Sequence, residues 1–376
     1  MPRSGNKMKI TVVGAGNAGC WTALHLAYYC QNQFEVELIY DPSVPAEPVG
    51  QGTLPGATNL LWNSLGCNWF NNPIEATPKT GILYEGWGKK KESYFHPFPL
   101  NIVAMHYEPS KLHKAILGSK LFSVKEEKVK DCADIDSDYI IDASGKPENF
   151  EEYQQLDNPI NCCLAGRTST SNRKHILWTR SIATPDGWCF VIPNNDGSES
   201  YGYLFNSEWT EEKEAMKNMS EYVQIENTKK INFKNYLAKQ PIKDERVIKA
   251  GNKHFFLEPL EATALKAYSH WSRLIYDYMV TKTLTSNDCT NKFNKYIKQT
   301  ETFVAAHYAF GSKYDSKFWN ECTKRYDIKS HQFSRLRSIA SQRGWNERDS
   351  ERKQNSFPWA QWENYSIGQW FEAMSE

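Results

Sequence analysis

The stretch HFFLEPLEATAL (residues 254–265) places two acidic residues inside an apolar run. Charge is costly in such a place unless it is paired or hydrogen-bonded, so Glu258 and Glu261 are candidates for a role other than packing. The residues after Glu261 are expected to begin a helix at Ala262. A helix start offers unpaired backbone amides and a positive dipole end, which together hold an anion. The plainer alternative for Glu261 is a helix N-terminal acid, which contributes about 0.3–1 kcal/mol.

A second cluster with chemical meaning is the glycine-rich GAGNAG (residues 14–19), which directly follows the β-branched run KITVV. Gly14 allows a tight turn, Gly16 lets the backbone approach a pyrophosphate, and Gly19 permits close packing of a helix on the strand. The N-terminus of that helix then faces the phosphates. In this strand–helix context the motif predicts dinucleotide binding rather than an ordinary glycine-rich turn.

The elements around the glycines form a β-α-β unit. The strand at 9–13 leads into a helix at about 17–30, and FEVELIYDP supplies a second strand that ends near Tyr40 and Asp41. An acid at the end of that strand is expected to hold the ribose. Asp41 is the candidate, although Tyr40 is an alternative occupant of the aligned position.

The glycine motif fits both FAD and NAD(P), and the later segment YIIDASG (residues 139–145) favours FAD. A late strand that ends in Asp142, Ser144 and Gly145 is similar to the second nucleotide-contacting segment of FAD-dependent monooxygenase folds. The alternative is a buried strand that closes in a turn.

The composition argues against several classes of function. The 376-residue chain has a formal net charge of +1, which gives no bulk attraction to nucleic acid or to an anionic membrane. Its nine cysteines include no CxxC pair, so no metal site is expected. The odd cysteine count, a short polar N-terminus unlike a signal peptide, and the lack of an apolar run of membrane-spanning length predict a cytoplasmic protein.

The rest of the chain predicts interleaved regions rather than separate domains. Helices are expected at about 58–65 and 110–118, and antiparallel strands between 174 and 206. From about 262 onward the pattern is mostly helical. The aromatic-rich stretch FPWAQWENYSIGQWF (357–371) is either an interface or a segment that packs back onto the core.

Several segments, in order from residue 8 to about 320, resemble motifs of the flavin-dependent halogenases, the group that includes the tryptophan halogenases. GAGNAGCW is similar to the family's GxGxxGW opening, and PVGQGTLP to its GxGEATxP segment, with Gln51 where the family has glutamate. PKTGILYEGW and YFHPF resemble the segments that hold the family's catalytic lysine and its HPF element. GWCFVIP is similar to WxWxIP, FLEPLEATAL to EPLEST/AxGI, and HYAFGSKYDSKFW to a late stretch with HY and DSxFW.

The chain also departs from the family pattern at three points. It is shorter than typical tryptophan halogenases, so parts of their substrate-covering region are expected to be missing. Phe190 stands for the second tryptophan of WxWxIP, and Ala264 stands for the glycine of the halide segment. These departures concern the acceptor and the halide more than the reaction, and the shorter chain predicts a more open acceptor pocket.

The resemblance implies a halogenase that uses FADH2 supplied by a separate flavin reductase. Reduced FAD, O2 and a halide would form hypohalous acid, which passes inside the protein to a small electron-rich aromatic such as an indole or a phenol. A homo-oligomer is compatible with the sequence.

The resemblance also assigns roles to individual residues. Lys79 would meet the oxidant as a haloamine or as a hydrogen-bond donor, because burial lowers a lysine pKa and exposes a nucleophilic amine. Glu261 would orient the oxidant or accept the proton that the aromatic ring loses. Thr263 and Ala264 would bind halide through backbone N–H groups. The alternative for Lys79 is a solvated lysine in a loop.

Four aromatic residues are expected at the substrate pocket. Trp188 and Phe190 would lie between the flavin and the substrate, and His96 and Phe98 would face the acceptor. Core packing is the alternative for each of them. The contacts to FAD are expected from Gly14, Gly16, Asn17, Ala18, Gly19, Asp41, Gly145 and Asn252.

The predicted fold is α/β, an FAD-binding Rossmann-like fold of the p-hydroxybenzoate hydroxylase type with an interleaved antiparallel-sheet substrate region and a helical C-terminal part. The FAD-binding region is expected at 8–80, 130–150 and 245–280. The substrate region is expected at 81–129 and 151–244, and the helical region at 281–376. Two other functions stay open: an FAD-dependent aromatic monooxygenase or oxidoreductase, and a degenerate flavoprotein without catalysis.

Overall fold

The computed structural model describes residues 7–30, 33–88, 92–98, 104–169, 176–334 and 336. The aromatic stretch at 357–371 and the chain beyond 336 lie outside these residues. The strands are β1 (Met8–Val13), β2 (Phe34–Tyr40), β3 (Gln51–Gly52), β4 (Thr77–Lys79), β5 (Gly81–Glu85), β6 (Ser93–Pro97), β7 (Ala104–Tyr107), β8 (Ser123–Glu126), β9 (Tyr139–Asp142), β10 (Tyr153–Gln155), β11 (Cys162–Arg167), β12 (Trp178–Thr184), β13 (Gly187–Pro193), β14 (Glu199–Phe205), β15 (Lys229–Asn232), β16 (Tyr236–Ala238), β17 (Ile242–Lys243), β18 (Val247–Lys249) and β19 (Phe255–Phe256).

Seven α-helices and four short 3₁₀ turns complete the described elements. The helices are α1 (Asn17–Tyr29), α2 (Ala57–Leu65), α3 (Pro109–Leu117), α4 (Glu212–Met219), α5 (Ala264–Met279), α6 (Ser286–Phe310) and α7 (Lys317–Arg325). The 3₁₀ turns are Cys132–Asp134, Gly251–Lys253, Leu260–Ala262 and His331–Phe333.

The first sheet has six strands in the order β17-β18-β9-β1-β2-β8, and all neighbours except the β17–β18 hairpin run parallel. β1 lies between β2 and β9, which explains why its β-branched residues Ile10 and Val12 are fully buried. β8 and β17 belong to this sheet although they come from the ranges 81–129 and 151–244 of the chain. The mixed α/β architecture agrees with the predicted fold class, whereas these two strands fall in ranges predicted to belong to the substrate region.

The glycine motif closes the carboxyl end of β1 as its residue types require. Gly14 has a positive φ of 103°, and a Cβ on it would lie 2.4 Å from the carbonyl oxygen of Ala143, just after β9. A Cβ on Gly19 would lie 1.8 Å from the carbonyl oxygen of Gly14, so only glycine lets α1 pack this closely on the strand. Because β1 and β9 are parallel neighbours, GAGNAG and YIIDASG end at the same edge of the sheet.

The second sheet has seven strands in the order β15-β11-β14-β13-β12-β5-β6, antiparallel except for the β12–β5 pair. Alternation along β13 sends Cys189 and Val191 to one face, where they pack with α4, and Trp188 to the other face, which packs against α6 and α7. Two small three-stranded sheets have the orders β10-β16-β19 and β3-β7-β4.

The helix expected to begin at Ala262 begins two residues later, at Ala264. Glu261 and Ala262 have positive φ angles of 70° and 51°, which interrupt the helical path. No glycine or asparagine marks this position, so the sequence gives no sign of it. The consequence is that the Glu261 side chain leaves the chain in a direction that a helical residue could not take.

Candidate active site

A cavity of about 980 Å³ lies against one face of the seven-stranded sheet. One face of the seven-stranded sheet forms its floor, and the segment 45–52, Asn17 at the start of α1 and the segment 255–265 form its other sides. Most of the floor is apolar or aromatic. The floor residues include Ile82, Cys163, Ala165, Trp188, Phe190, Ile192 and Leu204.

Lys79 ends β4 and points into this cavity while remaining buried, with 3% of its surface exposed. Its ammonium lies 5.3 Å from the centre of the Phe98 ring, and a Cβ on Gly52 would lie 3.1 Å from Nζ. Burial lowers the pKa of Lys79 to about 8, although the Glu261 carboxylate opposes that change. A lysine in this state is both a hydrogen-bond donor and a source of free amine near neutral pH.

Glu261 borders the same cavity, and its side chain is 9% exposed. Its Oε1 accepts a hydrogen bond from the hydroxyl of Tyr84 and lies 2.9 Å from Nε2 of His307. Burial alone would raise the pKa of Glu261, but the hydrogen bonds and charge of His307, together with Tyr84, outweigh it and lower the pKa below its ordinary value. The carboxylate is therefore kept ionised in a nearly dry place.

Glu258 is completely buried and serves a different purpose. It accepts hydrogen bonds from Nδ2 of Asn158 at 2.5 Å, Nε1 of Trp188 at 3.0 Å and the hydroxyl of Tyr308 at 2.8 Å. Its backbone N–H donates to Oδ1 of Asn235. These contacts orient the Trp188 indole, so Glu258 supports the floor of the cavity.

The predicted halide segment begins α5. Ala264 lines the cavity, whereas the side chain of Thr263 is buried beside it and makes no N-cap hydrogen bond. The first amides of a helix have no partner within the helix, so this turn can present N–H groups to an anion. The positive φ of Glu261 turns its carboxylate toward Tyr84 and His307. The carboxylate therefore points away from the backbone amides that begin α5.

The four predicted pocket aromatics divide into two pairs. Trp188 and Phe190 line the cavity together with Lys79 and Glu261. His96 and Phe98 are buried, with 4% and 6% exposed, and are not among the residues that line the cavity, although the Phe98 ring lies against the Lys79 ammonium. Burial lowers the pKa of His96 to about 4, so it is neutral.

The residues at the cavity fit a flavin. A Cβ on Gly16 would meet no atom within 4 Å, so the backbone there is open to a phosphate group. The Asn17 side chain is fixed by Nε2 of His113 and by Oε1 of Gln51, and it borders the cavity with Asn252. Residues of the glycine loop would hold the pyrophosphate, and the apolar floor would hold a flat ring system.

Two other predicted cofactor contacts lie at the edge of the six-stranded sheet. Gly145 follows β9 with a φ of 110°. Asp41 follows β2, and its Oδ1 accepts hydrogen bonds from the amide and hydroxyl of Ser43. Ala18 and Gly19 are buried in the first turn of α1.

Within the parts of the chain that the structure describes, no group of three or more His, Cys, Asp or Glu side chains could hold a metal ion. None of the described helices is long and apolar enough to cross a membrane.

Sequence reasoning did not find the partners of Glu261. Tyr84 lies 177 residues away in the chain and His307 lies 46 residues away, and no local pattern joins them. Both occur in segments that carry the halogenase resemblance, but the resemblance gave them no role. Their assignment needs the tertiary structure.

The sequence matches one known protein family over nearly all of its length. The sequence profile described as tryptophan halogenase matches residues 9–121 and 112–374. The tryptophan 7-halogenase RebH of Lentzea aerocolonigenes is 21% identical over 424 aligned positions, which span 84% of this chain and 79% of that protein. The tryptophan 6-halogenase ThaL of Streptomyces albogriseolus is 21% identical over 427 positions, which span 84% and 78%.

Solved structures show the same fold. Xcc4156, a flavin-dependent halogenase from Xanthomonas campestris, matches with a TM-score of 0.76 over 89% of this chain and 84% of that one, at 16% identity. At so low an identity the likeness concerns the fold alone.

Proposed function

Because the chain belongs to the tryptophan halogenase family, we propose that Lys79 and Glu261 carry out its halogenation step. The family membership confirms the predictions of an FAD-binding α/β fold, of flavin-dependent halogenase activity, and of FAD and halide as cofactors. The roles of single residues, the acceptor and the partners go further and belong to the proposal.

One observation carries the proposal. Two ionisable side chains from distant parts of the chain border the same cavity, and the pKa of each is shifted there. Burial lowers the pKa of Lys79 to about 8, and the pKa of Glu261 is held below its ordinary value. Two groups whose surroundings tune them to opposite charges near neutral pH are a typical acid–base arrangement. An aromatic monooxygenase would have no use for this pair.

When bound, reduced FAD with O2 and halide supplies hypohalous acid. Lys79 would donate a hydrogen bond to that oxidant, because its ammonium is favoured by the Glu261 carboxylate and the face of Phe98. Glu261 would accept the proton that the ring loses on substitution. The amides at Thr263 and Ala264 would hold the halide, and Trp188 and Phe190, as part of the apolar floor, would exclude water from it.

We propose a small electron-rich aromatic as the acceptor and a separate flavin reductase as the partner. Because Phe190 and Ala264 depart from the family's motifs, we expect the acceptor pocket to admit several aromatics rather than tryptophan alone. A panel of indoles and phenols, analysed by mass spectrometry with chloride, bromide and iodide, tests this. Product from a single acceptor would contradict it.

The decisive test is turnover with FAD, a flavin reductase, NADH and bromide. We expect a brominated aromatic from the native enzyme and none from Lys79→Ala, which should still bind FAD. Lys111→Ala is the matched control, since Lys111 pairs with Glu75 at the surface. Full product from Lys79→Ala would remove Lys79 from the reaction, and hydroxylated product without halide dependence would favour the monooxygenase alternative.

The division into an FAD-binding region, a substrate region and a helical C-terminal region stays our proposal for the domain organisation. The cytoplasmic location and a homo-oligomeric state likewise stay predictions.

A further inference from the structure

We propose that Tyr84 and His307 are positioning residues that fix the Glu261 carboxylate through one of its oxygens and keep it ready to accept a proton. This inference rests on the proposed role of Glu261. Both donors bond to Oε1. Oε2 is then the oxygen that we assign to the proton released by the acceptor.

The first support is the geometry around His307. Its Nδ1 lies 3.0 Å from the carbonyl oxygen of Phe303, one turn earlier in α6, and its Nε2 lies 2.9 Å from Oε1 of Glu261. A carbonyl oxygen only accepts hydrogen bonds, so Nδ1 must carry a hydrogen. With Nδ1 held by this carbonyl, the ring presents Nε2 to Oε1 of Glu261, so the backbone of α6 fixes the orientation of the contact.

The second support is the position of Tyr84. It lies in β5, it is 1% exposed, and burial raises its pKa well above the ordinary value. It therefore remains a neutral hydroxyl that donates to Glu261 at every working pH. The donors come from β5 and α6, two separate elements whose Tyr84 and His307 rings lie 5.9 Å apart, which fixes the carboxylate in orientation as well as in charge.

The third support is the backbone of Glu261. Its φ of 70° is followed by a φ of 51° at Ala262, and neither residue is glycine. Non-glycine residues adopt this conformation at a cost, and they keep it only where surrounding contacts hold them. The bonds to Tyr84 and His307 are such contacts, because a regular helical turn would direct the carboxylate elsewhere.

The titratable groups that face Glu261 are Lys79 of β4, Tyr84 of β5, His96 of β6 and His307 of α6. His96 is neutral because burial lowers its pKa to about 4, so it adds no charge near neutral pH. Loss of a donor at Oε1 should raise the pKa of Glu261. Since the proton acceptor must be ionised, the acidic limb of the rate profile should then move to higher pH.

The test compares two buried tyrosines that each donate to a glutamate. Tyr84→Phe removes a donor to Glu261, and Tyr308→Phe removes a donor to Glu258. We expect Tyr84→Phe to lower kcat about tenfold with the KM for the aromatic unchanged, and to move the acidic limb upward. Tyr308→Phe should lower thermal stability but leave the acidic limb in place.

A second pair of variants addresses His307. His307→Gln keeps an N–H donor near Oε1, whereas His307→Phe has none. We expect His307→Gln to recover much of the rate that His307→Phe loses. Equal losses in the two variants would contradict a positioning role and indicate that only the volume of His307 matters.

A measurement without flavin separates this inference from the proposed function. Infrared difference spectra between acidic and neutral pH, assigned with Glu261→Gln, report the protonation of Glu261 directly. The proposal expects Glu261 to protonate at higher pH in Tyr84→Phe than in the native protein, even if no halogenated product is ever found. An unchanged Glu261 titration in an enzyme that halogenates would overturn the positioning role and leave the proposed function intact.

Discussion

Glu258 and Glu261 lie three residues apart in one buried segment, yet their surroundings differ in kind. Glu258 is bonded at both oxygens, by Asn158, Trp188 and Tyr308, and burial raises its pKa. Glu261 receives two donors at a single oxygen, has a left-handed backbone, borders the cavity, and has a lowered pKa.

The contrast shows that burial alone does not distinguish a structural acid from a reactive one. What distinguishes them is whether the hydrogen-bonding capacity is used up. A carboxylate that is bonded at both oxygens orients its partners, whereas one that is held at a single oxygen and exposed to a cavity can still take part in chemistry.

The largest effect is expected from Glu258→Ala. The substitution leaves three buried donors without an acceptor, so the free energy of unfolding should fall by about 4 kcal/mol or more. Thermal and urea unfolding measure this, and Glu258→Gln, which keeps one acceptor oxygen, should lose less. A native-like unfolding midpoint in Glu258→Ala would mean that Glu258 is not the structural member of the pair.

The next effect is a gain in the free energy of unfolding, expected from replacing Lys79. The folded protein holds the pKa of Lys79 at about 8, below its ordinary value of 10.5, so the unfolded chain binds more protons between these two pH values. The free energy of unfolding should therefore rise as pH increases from about 8 to about 10.5, by up to about 3 kcal/mol for the full shift. Lys79→Met should lack this rise and should be more stable than the native protein at pH 7 by a similar amount.

Urea unfolding of the two proteins between pH 7 and pH 10.5 isolates that contribution, because other groups titrate alike in both. Lys111→Met, at a lysine that is 40% exposed, is the control and should change little. Lower stability in Lys79→Met at pH 7 would indicate that the ammonium contributes to the fold instead of to the chemistry.

Glu261→Gln should lower kcat about 100-fold, which corresponds to about 2.7 kcal/mol in the barrier, because the amide cannot take a proton. Its stability should stay within about 1 kcal/mol, since the amide oxygen can still accept the Tyr84 hydrogen bond. Rates and unfolding midpoints measured on the same preparations test the two statements together. If Glu261→Gln unfolds easily but halogenates at the native rate, Glu261 is the structural acid and Glu258 becomes the candidate for the reactive one.

The sequence predicts much of the fold that positions Lys79, Glu258 and Glu261. GAGNAG after a β-branched run specifies the turn at Gly14 and the close packing at Gly19, because only glycine fits the positive φ and the contact distances found there. The strands that the alternation pattern predicts between 174 and 206 lie in the seven-stranded sheet as β12, β13 and β14.

The site is less accessible to sequence reasoning for physical reasons. Lys79 has the same residue type as many solvated lysines, and its burial follows from β3, β7 and the Phe98 ring, which no local pattern joins to it. The left-handed conformations at Glu261 and Ala262 depend on tertiary contacts, since both residue types favour a helix. The partners of Glu261 meet it only through the packing of β5 and α6.

The smallest effect is expected from Gly52→Ala, which concerns the lysine side of the reactive pair. A Cβ at this position would lie 3.1 Å from Nζ of Lys79 and 3.4 Å from Cδ2 of His106, so the ammonium must shift by a few tenths of an ångström. A displaced ammonium meets the oxidant less well, and we expect about tenfold slower halogenation, about 1.4 kcal/mol, with FAD affinity unchanged. Gly118→Ala is the matched control, because its Cβ would lie 3.2 Å from the carbonyl oxygen of Lys114, away from the cavity. If both glycine variants halogenate at the native rate, the position of the Lys79 ammonium does not limit the reaction. Of Lys79 and Glu261, only Glu261 would then need an exact position.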